Sequence, residues 1–228
     1  MNQISQDWAG KSLAHEWWPV DEARTAIMLC PTVMGVTDLE RGFAAAINAK
    51  GHSVLIADLY GKRFMPDQRA EASAAMGALR GDRLGLRDLL LAILDQLRAR
   101  AGDAPIVAIG FCFGGQCVLD LARSGANIAG VASFHGLFDP PGLPPRPIKA
   151  RVIAFHGWDD PLAKPASVVA LGDELTAAGC DWQIHGFGGV GHGFTNPGAT
   201  GAMPGIKYDS AAARRSWAGL DQFLSEIA

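Results

Sequence analysis

The chain has 228 residues, of which 49% are hydrophobic and 19% charged, and its formal net charge at pH 7 is −3. This composition is typical of a folded globular protein and excludes a disordered chain, which contains too few apolar residues to form a core. The near-neutral charge argues against a nucleic-acid partner, because such proteins usually carry a basic patch. The length suits one domain, and we predict that residues 1–228 form it.

The first residues, Met1–Asp7, have neither the positive charge nor the apolar stretch of a secretory signal. No apolar segment approaches the length of a membrane span. The cysteines Cys30, Cys112, Cys117 and Cys180 form no CxxC pair and no zinc-type cluster with histidine, which predicts reduced thiols. We therefore expect a cytoplasmic monomer or homodimer that has no metal, no cofactor and no membrane partner.

Short apolar segments alternate with longer amphipathic segments along the chain. The predicted strands comprise residues 26–30, 53–57, 106–109, 130–134, 152–155 and 182–185. The predicted helices comprise residues 38–50, the helical region 66–101, a helix ending at 122, and residues 165–178 and 209–227. This order predicts an α/β fold, in which a mostly parallel sheet is covered by helices on both faces. Such a sheet carries its functional site beyond the carboxyl ends of its strands.

Two local signals refine this prediction. Asp38 is the candidate N-cap of the first helix. The proline-rich residues 140–147 lie between two predicted strands of the same sheet, and we interpret them as a stiff surface loop rather than a domain linker.

The strongest motif is Gly-Phe-Cys-Phe-Gly-Gly at residues 110–115, directly after a buried strand and directly before a helix. A strand, a tight glycine-flanked turn and a helix form the nucleophile elbow, here with Cys112 where serine is more usual. The N-terminus of the helix favours the thiolate, and the backbone N–H of Phe113 would face a developing oxyanion. The alternative is a structural cysteine, which is the interpretation we favour for Cys30 and Cys117.

A nucleophilic thiol requires a base, and the base requires an acid that orients it. The strand 152–155 leads into a loop with Asp159 and Asp160, and the last strand leads into a glycine-rich loop with His192. Asp160 and His192 follow Cys112 in the order that α/β-hydrolases use. The rival bases lie near other strand ends; they are His52, His135, His156 and His185.

These three segments resemble the dienelactone hydrolase family, a carboxymethylenebutenolidase-like branch of the α/β-hydrolase superfamily. The similarity extends over nearly the whole chain and includes Asp-Leu-Tyr-Gly at 58–61 and Ser-Phe-His-Gly at 133–136. The resemblance implies an α/β-hydrolase fold with the catalytic triad Cys112, Asp160 and His192. The family places the aspartate directly before a proline, which favours Asp160 over Asp159.

The resemblance also implies an oxyanion hole made of the backbone N–H groups of Phe113 and Val33. The family often carries a glutamate in the loop after the first parallel strand, but residues 31–35 contain no carboxylate. His192 alone would therefore deprotonate Cys112.

The substrate-binding residues are predicted to be Phe64, Trp158, Phe194 and Asn196. The aromatic side chains could form an apolar wall, although aromatic residues near strand ends are more often part of the core. Asn196 stands where dienelactone hydrolases proper carry an arginine that binds a substrate carboxylate. A neutral amide cannot form the paired, charge-assisted hydrogen bonds that an arginine makes to a carboxylate. We therefore expect neutral esters or lactones to be the preferred substrates.

The sequence therefore predicts an esterase or lactonase that forms an acyl-thioester on Cys112 and acts on a small molecule. One alternative is an inactive α/β-hydrolase-fold protein that binds a small ligand. A second alternative is an acyltransferase that uses the same thioester with an acceptor other than water. A redox thiol is a weaker hypothesis, because no resolving cysteine is evident.

Overall fold

The computed structural model describes residues 1–228, and eight strands form its main sheet. These strands are β1 (Asn2–Trp8), β2 (Lys11–Trp18), β3 (Ala26–Cys30), β4 (Ser53–Ile56), β5 (Ile106–Phe111), β6 (Gly130–Phe134), β7 (Arg151–Gly157) and β8 (Trp182–Phe187). A separate antiparallel pair consists of β9 (Thr200–Met203) and β10 (Ile206–Lys207). The helices are α1 (Asp38–Asn48), α2 (Arg69–Gly81), α3 (Arg83–Ala101), α4 (Phe113–Arg123), α5 (Pro165–Ala177) and α6 (Ser210–Ser225).

The strand order in the main sheet is β1-β2-β4-β3-β5-β6-β7-β8. The six strands predicted from the sequence, β3 to β8, pair in parallel, whereas β1 and β2 add an antiparallel edge. This arrangement confirms the predicted fold class, a mostly parallel sheet between helices. No helix is both long and apolar enough to span a lipid bilayer.

The two faces of β3 enter two different hydrophobic cores. Ile27 and Leu29 pack with residues of α1 and α6, whereas Ala26, Met28 and Cys30 pack with residues of α3, α4 and α5. Successive side chains of a strand point to opposite faces, so a strand covered on both sides must be apolar throughout. Each fully buried large aliphatic side chain contributes about 1.5–3 kcal/mol, and these two cores fix the register of the sheet.

The helix boundaries differ from those predicted, and two of the differences have a clear structural cause. The helical region 66–101 is divided at Asp82, whose side chain accepts a hydrogen bond from the Gly85 N–H at 2.9 Å and caps α3. The N-cap of α1 is Thr37 rather than Asp38, because Thr37 and Glu40 form a reciprocal capping box. The proline-rich residues 140–147 form an irregular loop between β6 and β7, as predicted.

The carboxyl ends of the parallel strands meet at one edge of the sheet. Val33 lies in the loop after β3, Cys112 follows β5, His135 follows β6, Asp160 follows β7, and His192 follows β8. The fold therefore brings together residues that are distant in sequence.

Candidate active site

Cys112 occupies a sharp turn between β5 and α4. Its backbone has φ 56° and ψ −116°, which is the left-handed region that side chains other than glycine rarely adopt. A residue held in such a conformation costs about 1–3 kcal/mol, so the surrounding structure must hold it there. The N–H of Cys112 donates to the carbonyl of Phe134 at 3.0 Å, and its carbonyl accepts from the N–H of Gly115 at 3.0 Å.

Glycine is required on both sides of this turn because the backbone passes too close for any side chain. A Cβ atom at Gly110 would lie 2.0 Å from the carbonyl oxygen of Gly114. A Cβ atom at Gly114 would lie 2.1 Å from the carbonyl oxygen of Cys30. The Gly-x-Cys-x-Gly spacing is therefore a packing requirement of the elbow.

Asp160 and His192 form a buried pair beside Cys112. The Nδ1 atom of His192 lies 2.7 Å from Oδ2 of Asp160, and both residues are buried. The other carboxylate oxygen, Oδ1, accepts a hydrogen bond from the backbone N–H of Leu162 at 2.8 Å. The neighbouring Asp159 is exposed. The structure thus brings Asp160, and not Asp159, to the histidine.

The loop that carries His192 is held by the β9–β10 hairpin, which the sequence analysis did not predict. The N–H of His192 donates to the carbonyl of Gly205 at 2.7 Å, and its carbonyl accepts from the N–H of Lys207 at 3.1 Å. A Cβ atom at Gly191 would lie 2.1 Å from the Gly205 oxygen, and one at Gly157 would lie 2.4 Å from the Gly191 oxygen. The glycines of this loop therefore let it pack tightly between β7 and the hairpin.

Burial and charge act in opposite directions on Cys112. Burial raises the pKa of its thiol, but the positive charge of His192 and the backbone N–H groups of Phe113 and Val33 outweigh this effect, and the pKa is lowered. These two N–H groups, which form the predicted oxyanion hole, thus face the sulfur. The site therefore stabilises the thiolate more than the surroundings of an ordinary cysteine do.

The pKa of His192 is shifted in the opposite direction, upwards. Burial lowers the pKa of its imidazole, but the charge of Cys112 and the hydrogen bond to Asp160 raise it to about 10. Its Nε2 atom is buried without any other hydrogen-bond partner, and the Cys112 sulfur raises the pKa of the imidazole through both charge and hydrogen bonding. The two shifts together stabilise a negative charge on the sulfur beside a positive imidazole, with the Asp160 carboxylate next to the imidazole.

A cavity of about 920 Å³ opens above these residues. Its wall includes Cys112, His192 and Val33, together with two predicted substrate-binding residues, Phe64 and Asn196. The Oδ1 atom of Asn196 accepts a hydrogen bond from the Gly198 N–H at 2.8 Å and is therefore engaged within its own loop.

The other two predicted substrate-binding residues, Phe194 and Trp158, do not lie on the wall of this cavity. Phe194 is completely buried, and its ring lies 5.1 Å from that of His135 and 5.5 Å from that of Phe187. Trp158 is 43% exposed, and its ring covers Gly186 on β8. The sequence places both residues near the site but does not show in which direction their side chains point.

His135 is a second histidine on the cavity wall, where the sequence analysis treated it as a rival base. Its Nε2 atom lies 2.8 Å from Oγ1 of Thr195, and its ring lies 5.0 Å from the ring of His192. Burial, together with the charge of His192, holds the pKa of His135 well below its usual range. A neutral imidazole without a carboxylate partner is poorly suited to act as the base.

Four arginines also line the cavity: Arg41, Arg63, Arg69 and Arg80. Three of them are paired with carboxylates, Arg41 with Glu16 at 2.8 Å, Arg63 with Asp58 at 2.9 Å and Arg80 with Asp139 at 3.0 Å. Arg69 is exposed at the first position of α2 and forms no ion pair. The cavity therefore offers a bound anion one unpaired cation, at an exposed position.

The lowered pKa of Cys112 predicts selective alkylation. At about pH 6 ordinary thiols are almost fully protonated, and a thiol with a lowered pKa retains a larger thiolate fraction than they do. We expect iodoacetamide at this pH to label Cys112 first, because burial raises the pKa of Cys117 and raises that of Cys180 to about 11. His192→Ala should remove the selectivity. Peptide mass spectrometry measures the order of labelling, and initial labelling of Cys117 or Cys180 would contradict the assignment.

A mostly parallel sheet with a cysteine on a strand-to-helix elbow, and with an aspartate–histidine pair on the loops of later strands, has the architecture of an α/β-hydrolase. The sequence profile of the dienelactone hydrolase family matches residues 14–228, and the chain belongs to this family. The resemblance inferred from the motifs is thereby confirmed.

Solved structures of similar proteins cover almost the whole chain. The protein m3DLH is 31% identical in sequence, with a TM-score of 0.88 over 99% of this chain and 97% of that chain. A dienelactone hydrolase-like promiscuous phosphotriesterase from metagenomic libraries, P91, is 30% identical, with the same TM-score and the same coverage. The uncharacterized protein K02A2.1 of Caenorhabditis elegans is 37% identical over 123 residues, which are 52% of this chain and 78% of that protein.

Proposed function

We propose that this hydrolase cleaves a carboxylic ester or lactone through an acyl-thioester on Cys112, with His192 as the proton carrier and Asp160 orienting it. The observation that carries the proposal is the arrangement at the elbow, where Cys112 shares a cavity wall with His192, and His192 lies 2.7 Å from the buried carboxylate of Asp160. The lowered pKa of Cys112 and the raised pKa of His192 support the same chemistry. The reduced thiolate that this chemistry requires is compatible with the reducing cytoplasm predicted from the sequence.

Acylation begins when the Cys112 thiolate attacks the carbonyl carbon. A C–S bond forms, and the carbonyl π electrons move to the oxygen, where the N–H groups of Val33 and Phe113 stabilise the negative charge. When the tetrahedral intermediate collapses, the C–O bond to the leaving group breaks. The Nε2–H of His192 gives its proton to the departing oxygen, which leaves an acyl-thioester and a neutral imidazole.

Deacylation uses the same groups, but His192 now begins as a base that accepts a proton rather than as an acid that donates one. The neutral Nε2 of His192 takes a proton from water, and the resulting hydroxide attacks the thioester carbon. Collapse of the second tetrahedral intermediate breaks the C–S bond and releases the carboxylic acid. The thiolate and the imidazolium are restored, and Asp160 stabilises the imidazolium at each stage.

The direct test is a pre-steady-state burst with p-nitrophenyl acetate. We expect one equivalent of p-nitrophenol per active site, followed by slower turnover, and intact mass should show one acetyl group on the enzyme. An inactive ligand-binding protein would give no burst. An acyltransferase would give a burst, but added alcohols would then capture most of the acyl group in place of water.

A second candidate activity is the hydrolysis of phosphotriesters, which is favoured by the 30% identity to the promiscuous phosphotriesterase P91 over 99% of this chain. The thiolate would attack phosphorus and expel an aryloxide, and water would then cleave the phosphoryl-cysteine bond. Repeated turnover of a p-nitrophenyl phosphotriester would support this activity, whereas a single stoichiometric release would mark the compound as an inhibitor.

The environment of Asn196 predicts a preference for uncharged substrates. Its Oδ1 atom is engaged by Gly198, and the unpaired cation, Arg69, is exposed to solvent, which weakens its attraction for an anion. Loss of one charge-assisted contact costs about 1.5–3 kcal/mol. We therefore expect the methyl ester of a carboxylated lactone to be hydrolysed about ten- to a hundredfold faster, in kcat/KM, than the free acid.

Two variants separate the contributions to this preference. Asn196→Arg should reduce the difference in kcat/KM between the acid and its methyl ester, because the guanidinium group can form bidentate hydrogen bonds with the carboxylate. Arg69→Gln should leave this difference in kcat/KM nearly unchanged if Arg69 acts only as an exposed charge. A clear preference of the unmodified protein for the acid would contradict the prediction, and its loss in Arg69→Gln would identify Arg69 as the cause.

A further inference from the structure

Glu40 is a completely buried carboxylate that none of the chemical steps above uses. Its Oε1 atom accepts hydrogen bonds from the backbone N–H of Thr32 at 3.1 Å and from the Thr32 hydroxyl at 2.9 Å. Its Oε2 atom accepts from the backbone N–H of Thr37 at 3.0 Å and also from the Thr37 hydroxyl. Four donors thus satisfy a charge that would otherwise be costly to bury.

The capping box of α1 explains only half of this arrangement. The bonds to Thr37 stabilise the first turn of the helix, as in other capping boxes. The two bonds to Thr32 reach across the loop to the residue immediately before Val33. Glu40 therefore ties both ends of the segment 32–37 to one rigid carboxylate, and this segment carries one of the two oxyanion-hole donors.

The orientation of the Val33 N–H follows from the peptide bond that joins it to Thr32. The Thr32 carbonyl accepts a hydrogen bond from the Gly35 N–H at 3.0 Å, which fixes the plane of this peptide. The C=O and N–H of a trans peptide point in opposite directions, so the Val33 N–H points away from Gly35 and faces the Cys112 sulfur.

The next peptide plane is fixed by a residue of the hydrophobic core, Tyr60. The Tyr60 hydroxyl donates to the Val33 carbonyl at 3.2 Å. Gly35 has φ +73°, and a Cβ atom there would lie 3.1 Å from the Tyr60 ring, so glycine is needed for the turn to close against tyrosine. Both peptide planes that flank Val33 are therefore held before any substrate arrives.

We propose that Glu40 is a positioning residue that preorganises the Val33 N–H of the oxyanion hole by holding Thr32 and Thr37 at the two ends of its loop. The inference rests on the proposed acyl-transfer chemistry, in which this N–H stabilises the oxyanion. It assigns to a helix-capping glutamate a role in the reaction rate, in addition to its role in stability.

The expected effect follows from how oxyanion donors act. Removal of one donor typically lowers kcat by about 10²–10³-fold, and a displaced donor should cost less. We expect Glu40→Gln, in which the amide nitrogen cannot accept a hydrogen bond, to lower kcat by about ten- to a hundredfold. KM should stay within about twofold, because the donor acts on the transition state more than on the bound substrate.

The experiment compares Glu40→Gln, Thr32→Val and Thr32→Ser with Glu226→Gln, an exposed control at the C-cap of α6. For each variant we measure kcat and KM with p-nitrophenyl acetate, the melting temperature, and the pKa of Cys112 from the pH dependence of iodoacetamide alkylation. Glu40→Gln and Thr32→Val should lower kcat and raise the thiol pKa, because the Val33 N–H no longer faces the sulfur. Thr32→Ser retains the hydroxyl and should restore both values, and Glu226→Gln should match the unmodified protein.

A folded Glu40→Gln variant with unchanged kcat and unchanged thiol pKa would overturn the inference, as would a change confined to KM or to the melting temperature. If Glu40→Gln does not fold, the comparison of Thr32→Val with Thr32→Ser decides by the same criteria. If the unmodified protein forms no acyl-enzyme, the proposed function fails. In that case the thiol pKa of the variants still tests the positioning role, since alkylation requires no ester substrate.

Discussion

Replacement of Cys112 by alanine is expected to abolish the burst of p-nitrophenol and to lower kcat by roughly 10⁴- to 10⁶-fold. The thiolate forms the covalent bond to the acyl group, so its loss removes both the intermediate and the two-step route. The residual rate reflects the oxyanion hole and substrate binding alone. Stopped-flow absorbance measures the burst, and intact mass measures the acyl-enzyme.

Three control variants separate chemistry from folding. Cys117→Ala and Cys180→Ala should retain the burst, because burial keeps both thiols protonated. Cys112→Ser keeps the size of the side chain at the elbow but replaces a readily ionised thiol by an alcohol, so we expect activity between that of the alanine variant and that of the unmodified protein. An acyl-enzyme that persists in Cys112→Ala would show that another residue is the nucleophile.

The parallel part of the sheet could be predicted because burial on both faces leaves a simple pattern. Residues 26–30 are apolar without interruption, and the structure gives β3 the same limits. The antiparallel edge could not be predicted in this way. β1 and β2 are seven and eight residues long, but polar residues are interspersed along both, so no continuous apolar segment marks them. The β9–β10 hairpin, at residues 200–207, has short strands, and β9 is exposed throughout, so it leaves no such pattern either.

The residues of the predicted triad could be located because each follows a recognisable strand and because the elbow requires its glycines. What the sequence could not show is the direction of side chains beyond the strand ends. Phe194 points into the core and Trp158 lies on the surface, although both are next to triad loops. Glu40 could have been noticed from the spacing Thr-x-x-Glu, which is a capping-box signature, but its bonds to Thr32 depend on the folded loop.

Asp160→Asn should lower kcat by about 10⁴-fold while leaving the fold intact, as expected when the orienting carboxylate of a triad becomes a neutral amide. Here the structure dictates the orientation of that amide. The Leu162 N–H, which donates to Oδ1 of Asp160 at 2.8 Å, would hold the amide oxygen. The amide NH₂ would then face Nδ1 of His192, which lies 2.7 Å from the other carboxylate oxygen.

An NH₂ group that donates to Nδ1 forces the proton of neutral His192 onto Nε2, which then cannot accept a proton from water. The substitution also removes the negative charge that helps to raise the pKa of His192, so the imidazolium and the Cys112 thiolate are both destabilised. Acylation and deacylation should therefore slow together. Asp159→Asn is the matched control, because Asp159 is exposed and makes no side-chain contact with the histidine. We expect it to change kcat by less than about threefold. Equal losses in the two variants, or a larger loss at Asp159, would show that the acid of the triad has been assigned to the wrong residue.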